Sequence, residues 1–200
     1  MDINIKEQYK RRKQRSRICL GAKQLIHNPI LNLLWLPVII AVILIIWGKK
    51  IVLYYLTYDI DIPQTLYSIF NGIITFIIAL LLILLVFAML EIIGELTARK
   101  DENALLIAFG TKQCNFGCPI LINKYRIKGT KVTFREFYSL AIHYKLWIDR
   151  QDAIADAMNV HFVDEIKYGG KNNADGNRII IKTAKGRKSI GQGALYDEEL

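Results

Sequence analysis

The chain has 200 residues, 52% of them hydrophobic, and a formal net charge of +9. Its three cysteines are too few for a disulfide framework, which excludes the small cross-linked secreted class. The positive balance favours anionic partners and is unevenly spread: residues 1–28 hold eight Lys/Arg against two acids, and residues 99–200 hold seventeen against twelve.

Residues 1–28 are expected to form a basic cytoplasmic tail. Six cations, Lys10, Arg11, Arg12, Lys13, Arg15 and Arg17, lie just ahead of the first apolar stretch. Cationic flanks remain on the cytoplasmic side of a bilayer, so this cluster sets topology and reaches anionic lipid headgroups. Direct contact with nucleic acid is the competing reading.

No Asp, Glu, Lys or Arg occurs from Asn28 to Gly48, and none from Ile62 to Leu90. A helix rises about 1.5 Å per residue and a bilayer core is about 30 Å thick, so both stretches can cross. Residues 29–98 are therefore expected to form a transmembrane hairpin with spans at about 30–47 and 69–90. The rest of the chain has too little apolar surface to enclose two all-round hydrophobic helices, which argues against buried core helices. A cleaved signal peptide fits poorly, because the basic leader is long and Lys49-Lys50 follows Trp47 with no small-residue cleavage site.

Pro37 is expected to kink the first span. Trp35, Trp47, Tyr54, Tyr55, Tyr58 and Tyr67 suit an interfacial aromatic belt. The connector, about Gly48 to Asp61, is too short for an external domain. The second span carries no ionisable group for an ion pathway, and Glu91 and Glu95 mark its emergence into water. Two crossings leave both termini cytoplasmic, in a multi-pass protein of the plasma membrane.

Residues 99–184 read as a small α+β domain. Ala104 to Phe109 fits either a buried strand or the end of the preceding helix. Ile120–Lys128 and Lys131–Tyr138 alternate as strands around a Gly129-Thr130 turn. Asp149 is placed to cap a helix through Met158, with Ile154 and Met158 on one face. Val160–Tyr168 alternates again, and Gly169–Asn177 is a loop leading into a strand at Arg178–Thr183. Residues 185–200 read as a flexible linker.

Cys114 and Cys118 make half of a zinc site at most, and neither His143 nor His161 has ligand spacing relative to them. A structural turn before Pro119 is favoured, and no metal or other cofactor is expected. Lys182 to Ser189 imitates a phosphate-binding loop but has Ile181 where the first Gly is needed and Arg187 where the Lys is needed. No Ser, Cys or acid is patterned with His27 or His143, so no catalytic residue is assigned. Lys124, Arg126 and Lys128 share one strand face, and Lys131 and Arg135 share a face of the next. Paired as a hairpin they make a basic ribbon, a candidate for phosphate contact with nucleic acid or with lipid. A solvated sheet face whose lysines discourage edge pairing is the bland alternative.

Several stretches carry a family resemblance: Ile107-Ala108-Phe109-Gly110, Cys118-Pro119-Ile120-Leu121-Ile122, Val132 to Phe137, Trp147-Ile148-Asp149, and Ala153 to Val160. Together they resemble the region preceding the motor in FtsK/SpoIIIE-like DNA translocases of conjugative elements, over about residues 10–200. Leu195 to Leu200 resembles the linker into that motor. The resemblance implies a basic tail, two spans and a small α+β domain that anchor and assemble a coupling protein. It implies as partners membrane lipid, like subunits or a full-length translocase, conjugation-channel proteins and DNA. The family's Walker A and B motifs do not occur in these residues, so no ATPase activity is expected of this chain, which reads as a truncated or split product. The alternative is a stand-alone two-span adaptor whose cytoplasmic domain binds a protein partner.

Overall fold

The structure is a computed structural model and describes residues 2–57, 63–114, 117–169 and 175–186. It is mostly helical, with one small antiparallel sheet. The helices are α1 (Asp2–His27), α2 (Leu36–Thr57), α3 (Gln64–Phe109), α4 (Tyr144–Asp149) and α5 (Gln151–Met158), with a 3-10 segment at Pro29–Trp35 ahead of α2. The strands are β1 (Ile120–Arg126), β2 (Val132–Tyr138), β3 (Val160–Phe162), β4 (Lys167–Tyr168) and β5 (Arg178–Lys185).

Two helical stretches, Pro29–Tyr55 and Gln64–Phe109, are long and apolar enough to cross a membrane. Their most apolar parts have mean hydropathies of 2.7 and 3.3, and only 6% and 0% of those parts are buried in the protein. Ile40, Leu44, Phe76, Leu80 and Leu84 all point outward. That arrangement is inverted relative to a water-soluble core. The first stretch is not one regular helix. Pro37 falls in the first turn of α2, where its missing N–H has no helical partner to lose, so the expected kink is replaced by a helix start. Lys49-Lys50 lies inside α2, which runs on to Thr57, and Lys49 Nζ meets Thr75 Oγ1 of α3 at 2.7 Å.

The expected tail is α1, a 26-residue helix. Lys, Arg, Gln, Leu and Ala are good helix formers, and Arg17, Leu20, Gly21 and Gln24 form a buried stripe at helical spacing. This stripe packs antiparallel on α3 at very short range. A Cβ on Gly21 would stand 2.0 Å from the Leu90 carbonyl oxygen, and one on Gly94 would stand 2.0 Å from the Arg17 carbonyl oxygen. Only glycine permits that approach. α3 itself continues without a break for 46 residues, so the boundary expected at 98/99 lies inside a helix. Ala104 to Phe109 forms its last turns rather than a strand. From Ile93 onward α3 buries Gly94, Ala98, Leu105 and Phe109 at helical spacing.

The sheet order is β1-β2-β5-β3, with β4 also on β5, and all pairs are antiparallel. Leu121, Phe137, Ile179 and Ile181 point from the sheet into the core with Leu105, Phe109, Trp147 and Ile154. Trp147 is fully buried, its ring 5.0 Å from Phe109 and 5.6 Å from Phe137. The helix expected from Asp149 to Met158 is present as α5, starting at Gln151; the unexpected α4 precedes it and ends at Asp149, which is therefore no cap. α5 ends at Asn159, whose left-handed φ of 52° suits Asn better than a branched residue. The expected strand 160–168 is split into β3 and β4, which meet different parts of β5. The connector residues 58–62, most of the loop after Gly169 and the expected linker beyond Gly186 lie outside the described residues.

Candidate functional site: two cationic surfaces around a buried ion cluster

The charged residues singled out from the sequence divide into buried and exposed sets. α1 presents Arg17 to α3, where its side chain is 2% exposed. Arg17 Nε donates to Glu95 Oε2 at 2.6 Å and Nη2 donates to Glu102 Oε2 at 2.5 Å. Lys13 Nζ stands 3.7 Å from the same Glu102 carboxylate, and Glu102 Oε1 accepts the Leu121 backbone N–H at 2.9 Å. One carboxylate thus ties α1, α3 and β1 together. Arg17 is not available to lipid headgroups, which corrects its expected role. The physical reason is that a buried cation needs a partner, and α3 supplies two.

A second buried cluster corrects the expected ribbon. Lys124 and Arg135 are cross-strand neighbours, and both turn to Asp101 of α3, with Lys124 Nζ at 2.8 Å and Arg135 Nε at 3.0 Å. Arg135 Nη1 also donates to the Thr183 hydroxyl. Arg135 is buried, so this ion pair holds the sheet to α3 instead of greeting phosphate. Arg126, Lys128 and Lys131 remain exposed at the turn end of the hairpin.

Lys10, Arg11, Arg12 and Arg15 are exposed on α1. Arg11 pairs with Glu7 at 3.8 Å, a surface contact of small energetic weight. Arg12 donates to the Tyr138 hydroxyl at 2.5 Å, with its guanidinium 3.8 Å from the Tyr138 ring centre. Arg11, Arg12, Arg15 and Lys23 line one side of a groove of about 720 Å³, with Arg178 on the other. Arg178 is held by Glu136 at 2.9 Å and Asp175 at 3.0 Å. These partners raise its pKa further, so it stays charged. The groove can hold a polyanion electrostatically, and among the described residues lining it no base is paired with a nucleophile.

Gly117, φ +129°, follows Cys114 and the undescribed pair 115–116, and Tyr9 of α1 lies against it. The Tyr9 hydroxyl donates to the Cys118 carbonyl at 2.8 Å. Burial, followed by the hydrogen bond with Cys114, pushes the Cys118 thiol up to about 12. Burial likewise raises the Tyr9 phenol. Cys118 is therefore a protonated thiol at neutral pH and a poor nucleophile. Among the described residues, no group of three or more His, Cys, Asp or Glu is placed to hold a metal. His161 Nδ1 instead lies 2.8 Å from the Gly186 carbonyl oxygen.

Sequence reasoning missed Asp101, Glu95 and Glu102 as partners. The only signal was the seven-residue spacing of Glu95 and Glu102, which puts those two on one α3 face. No protein-family model matches this chain, and no curated protein matches it. Among solved structures, part of it is similar to the pCW3 conjugation coupling protein TcpA, in its monomer form with ATPγS. The match is 23% identical, covers 46% of this chain and 25% of that one, and has a TM-score of 0.36. The chain thus spans about a quarter of that coupling protein's length.

Proposed function

We propose that this chain is the membrane anchor and assembly module of an FtsK/SpoIIIE-like DNA translocase acting in conjugative DNA transfer, without ATPase activity of its own. The observation that carries the anchoring role is the continuity of α3. One 46-residue helix has an apolar half exposed to its surroundings and a second half built into the α+β core. α1 clamps that second half through Arg17, Glu95 and Glu102. A stiff joint of this kind keeps the module at a set distance and orientation from the bilayer, as an anchor for a force-producing partner requires. The transfer role is supported by the sequence stretches that resemble the translocase family. In this reading both termini are cytoplasmic, and the module assembles with like subunits or with a full-length translocase at the transfer channel.

Deleting the gene in its host element should lower DNA transfer frequency, and the wild-type gene should restore it. A version with a flexible Gly-Ser insertion after Arg99, which uncouples the two halves of α3, should not. Unchanged transfer after deletion would sink the proposal. Orientation is read separately. A membrane-impermeant maleimide should label the exposed Cys19 only after the cells are permeabilised.

The stand-alone adaptor reading has one observation in its favour: Lys124 and Arg135 are spent on Asp101, which thins the basic ribbon. Salt-sensitive retention of duplex DNA by the purified protein would count against that reading.

A further inference from the structure

Five contacts locate the β1–β2 turn along α3. α1 runs antiparallel to α3, with Gly21 against Leu90 and Gly94 against Arg17. β1 runs alongside α1 in the same direction. Tyr9 reaches the Cys118 carbonyl near the start of β1, and Gln24 Nε2 reaches the Lys124 carbonyl near its end at 2.5 Å. Fifteen residues of helix and six of strand both cover about 20 Å, so the two elements stay in step. His27 then stacks on Tyr125, ring centres 5.6 Å apart.

Glu91 is the last ionisable residue on α3 before its apolar half. His27 lies six residues past Gly21, or about 9 Å further toward that half. The turn following Tyr125 therefore begins about 9 Å past the level of Leu90. The charge-free helix from Gln64 to Leu90 is about 40 Å long, about 10 Å more than a bilayer core, so its last turns, level with Tyr125, fall in the headgroup layer. The turn carries Arg126, Lys128 and Lys131, all exposed, and no acid. Ile26 lines a cleft with it, and Ile30 follows four residues on; the two are 81% and 84% exposed. A cleft of about 530 Å³ between Ile26, His27 and Asn28 on one side and Tyr125 to Lys128 on the other opens at the same level.

We infer that the β1–β2 turn is a lipid-binding element, seated in the headgroup layer with Arg126, Lys128 and Lys131 on the phosphates of anionic lipids. This rests on the membrane-anchor reading above. Cations at this depth gain from the negative surface potential, while Ile26 and Ile30 enter the acyl boundary. The lipid contact forms a third support for the module, beside α3 and α1, and fixes its rotation about α3. Lys124 and Arg135 face Asp101 and take no part.

The test uses the full chain in nanodiscs of phosphatidylcholine, alone or mixed with phosphatidylglycerol. A coumarin-bearing amino acid replaces Thr130 in the turn, Lys145 at the far end, or Ile77 in the apolar half of α3. Lys145 neighbours Trp147, which packs on Phe109, nineteen residues or about 28 Å beyond Leu90. Nitroxide lipids labelled on the headgroup should quench position 130 and not 145, more strongly when phosphatidylglycerol is present. Nitroxide on the acyl chain should quench position 77. Replacing Arg126, Lys128 and Lys131 with Ser should abolish the gain from phosphatidylglycerol. The milder Lys128→Gln/Lys131→Gln pair, which keeps the Arg126 bond to the Thr130 carbonyl, should lose part of it. Quenching at 77 with none at 130, or equal quenching at 130 in both lipid mixtures, overturns the inference while leaving the spans intact. No quenching at 77 overturns the membrane reading and the inference together. Occlusion of position 130 by added duplex DNA and not by lipid overturns it in favour of a nucleic-acid contact.

Discussion

Residues 64–90 and 91–109 belong to one helix yet present opposite surfaces. The first part exposes Phe76, Leu80, Leu84 and their neighbours and buries none of its most apolar stretch. The second part buries Asp101, Glu102, Ala98 and Leu105, so charged side chains lie inside while leucines elsewhere lie outside. Backbone geometry is the same throughout. What differs is which side chains each part turns outward, and a buried charge is tolerated only where a second element brings the counter-charge. α1 does this for Glu102, and the sheet does it for Asp101.

The largest expected effect contrasts two glycines of this helix. Gly94→Leu drives a side chain into the Arg17 backbone and should cost about 3 kcal/mol or more, separating α1 from α3. Gly72→Leu, with no atom within 4 Å of its added Cβ, should change stability by less than about 0.5 kcal/mol. Thermal melts and limited proteolysis in detergent read both. If the two variants behave alike, the packed half of α3 is not packed as described.

Arg17→Met leaves Glu102 buried without its closest cation and should cost about 3 kcal/mol. Adding Glu102→Gln should recover part of the loss, since the amide oxygen can still accept from Leu121 N–H. A double-mutant cycle measures the coupling, and additive losses would remove the clamp from consideration.

A smaller contrast separates the two ends of the basic hairpin. Arg135→Met should cost about 2 kcal/mol through the stranded Asp101, whereas Lys131→Met should fall within about 0.5 kcal/mol. Equal costs would return Arg135 to the exposed ribbon.

The mildest effect is on pH dependence. The folded protein holds the Cys118 thiol up at about 12, above its ordinary value of 9.0. The resulting stabilisation is complete below the unfolded value and is lost as the pH rises from there toward the folded one. The melting temperature should decline above pH 9, and Cys118→Ala should flatten part of that decline. At pH 8, iodoacetamide should modify the exposed Cys19 well before Cys118.

Much of the local structure was readable from pattern. Alternation placed β1 and β2 to within a residue or two, and Ile154 and Met158 do share a buried helical face. α1 was not readable, because Lys10 to Arg17 looks like a solvated tail until Glu95 and Glu102 are seen opposite it. Nor was the continuity of α3 across residues 98–99, since polarity changes there while helix propensity does not. α4 escaped for a different reason: it owes its place to Trp147 in the core, a tertiary demand with no sequence period.

By itself, the amino-acid order determined which stretches can leave water: long runs without charge have the same transfer preference wherever they lie in a fold. It also determined the strand faces, because a period of two survives any packing. Only the tertiary structure decided which cations are structural and which are free. That choice depends on whether a carboxylate from 34 or 85 residues away arrives within hydrogen-bond reach. Distance along the chain carries no trace of it.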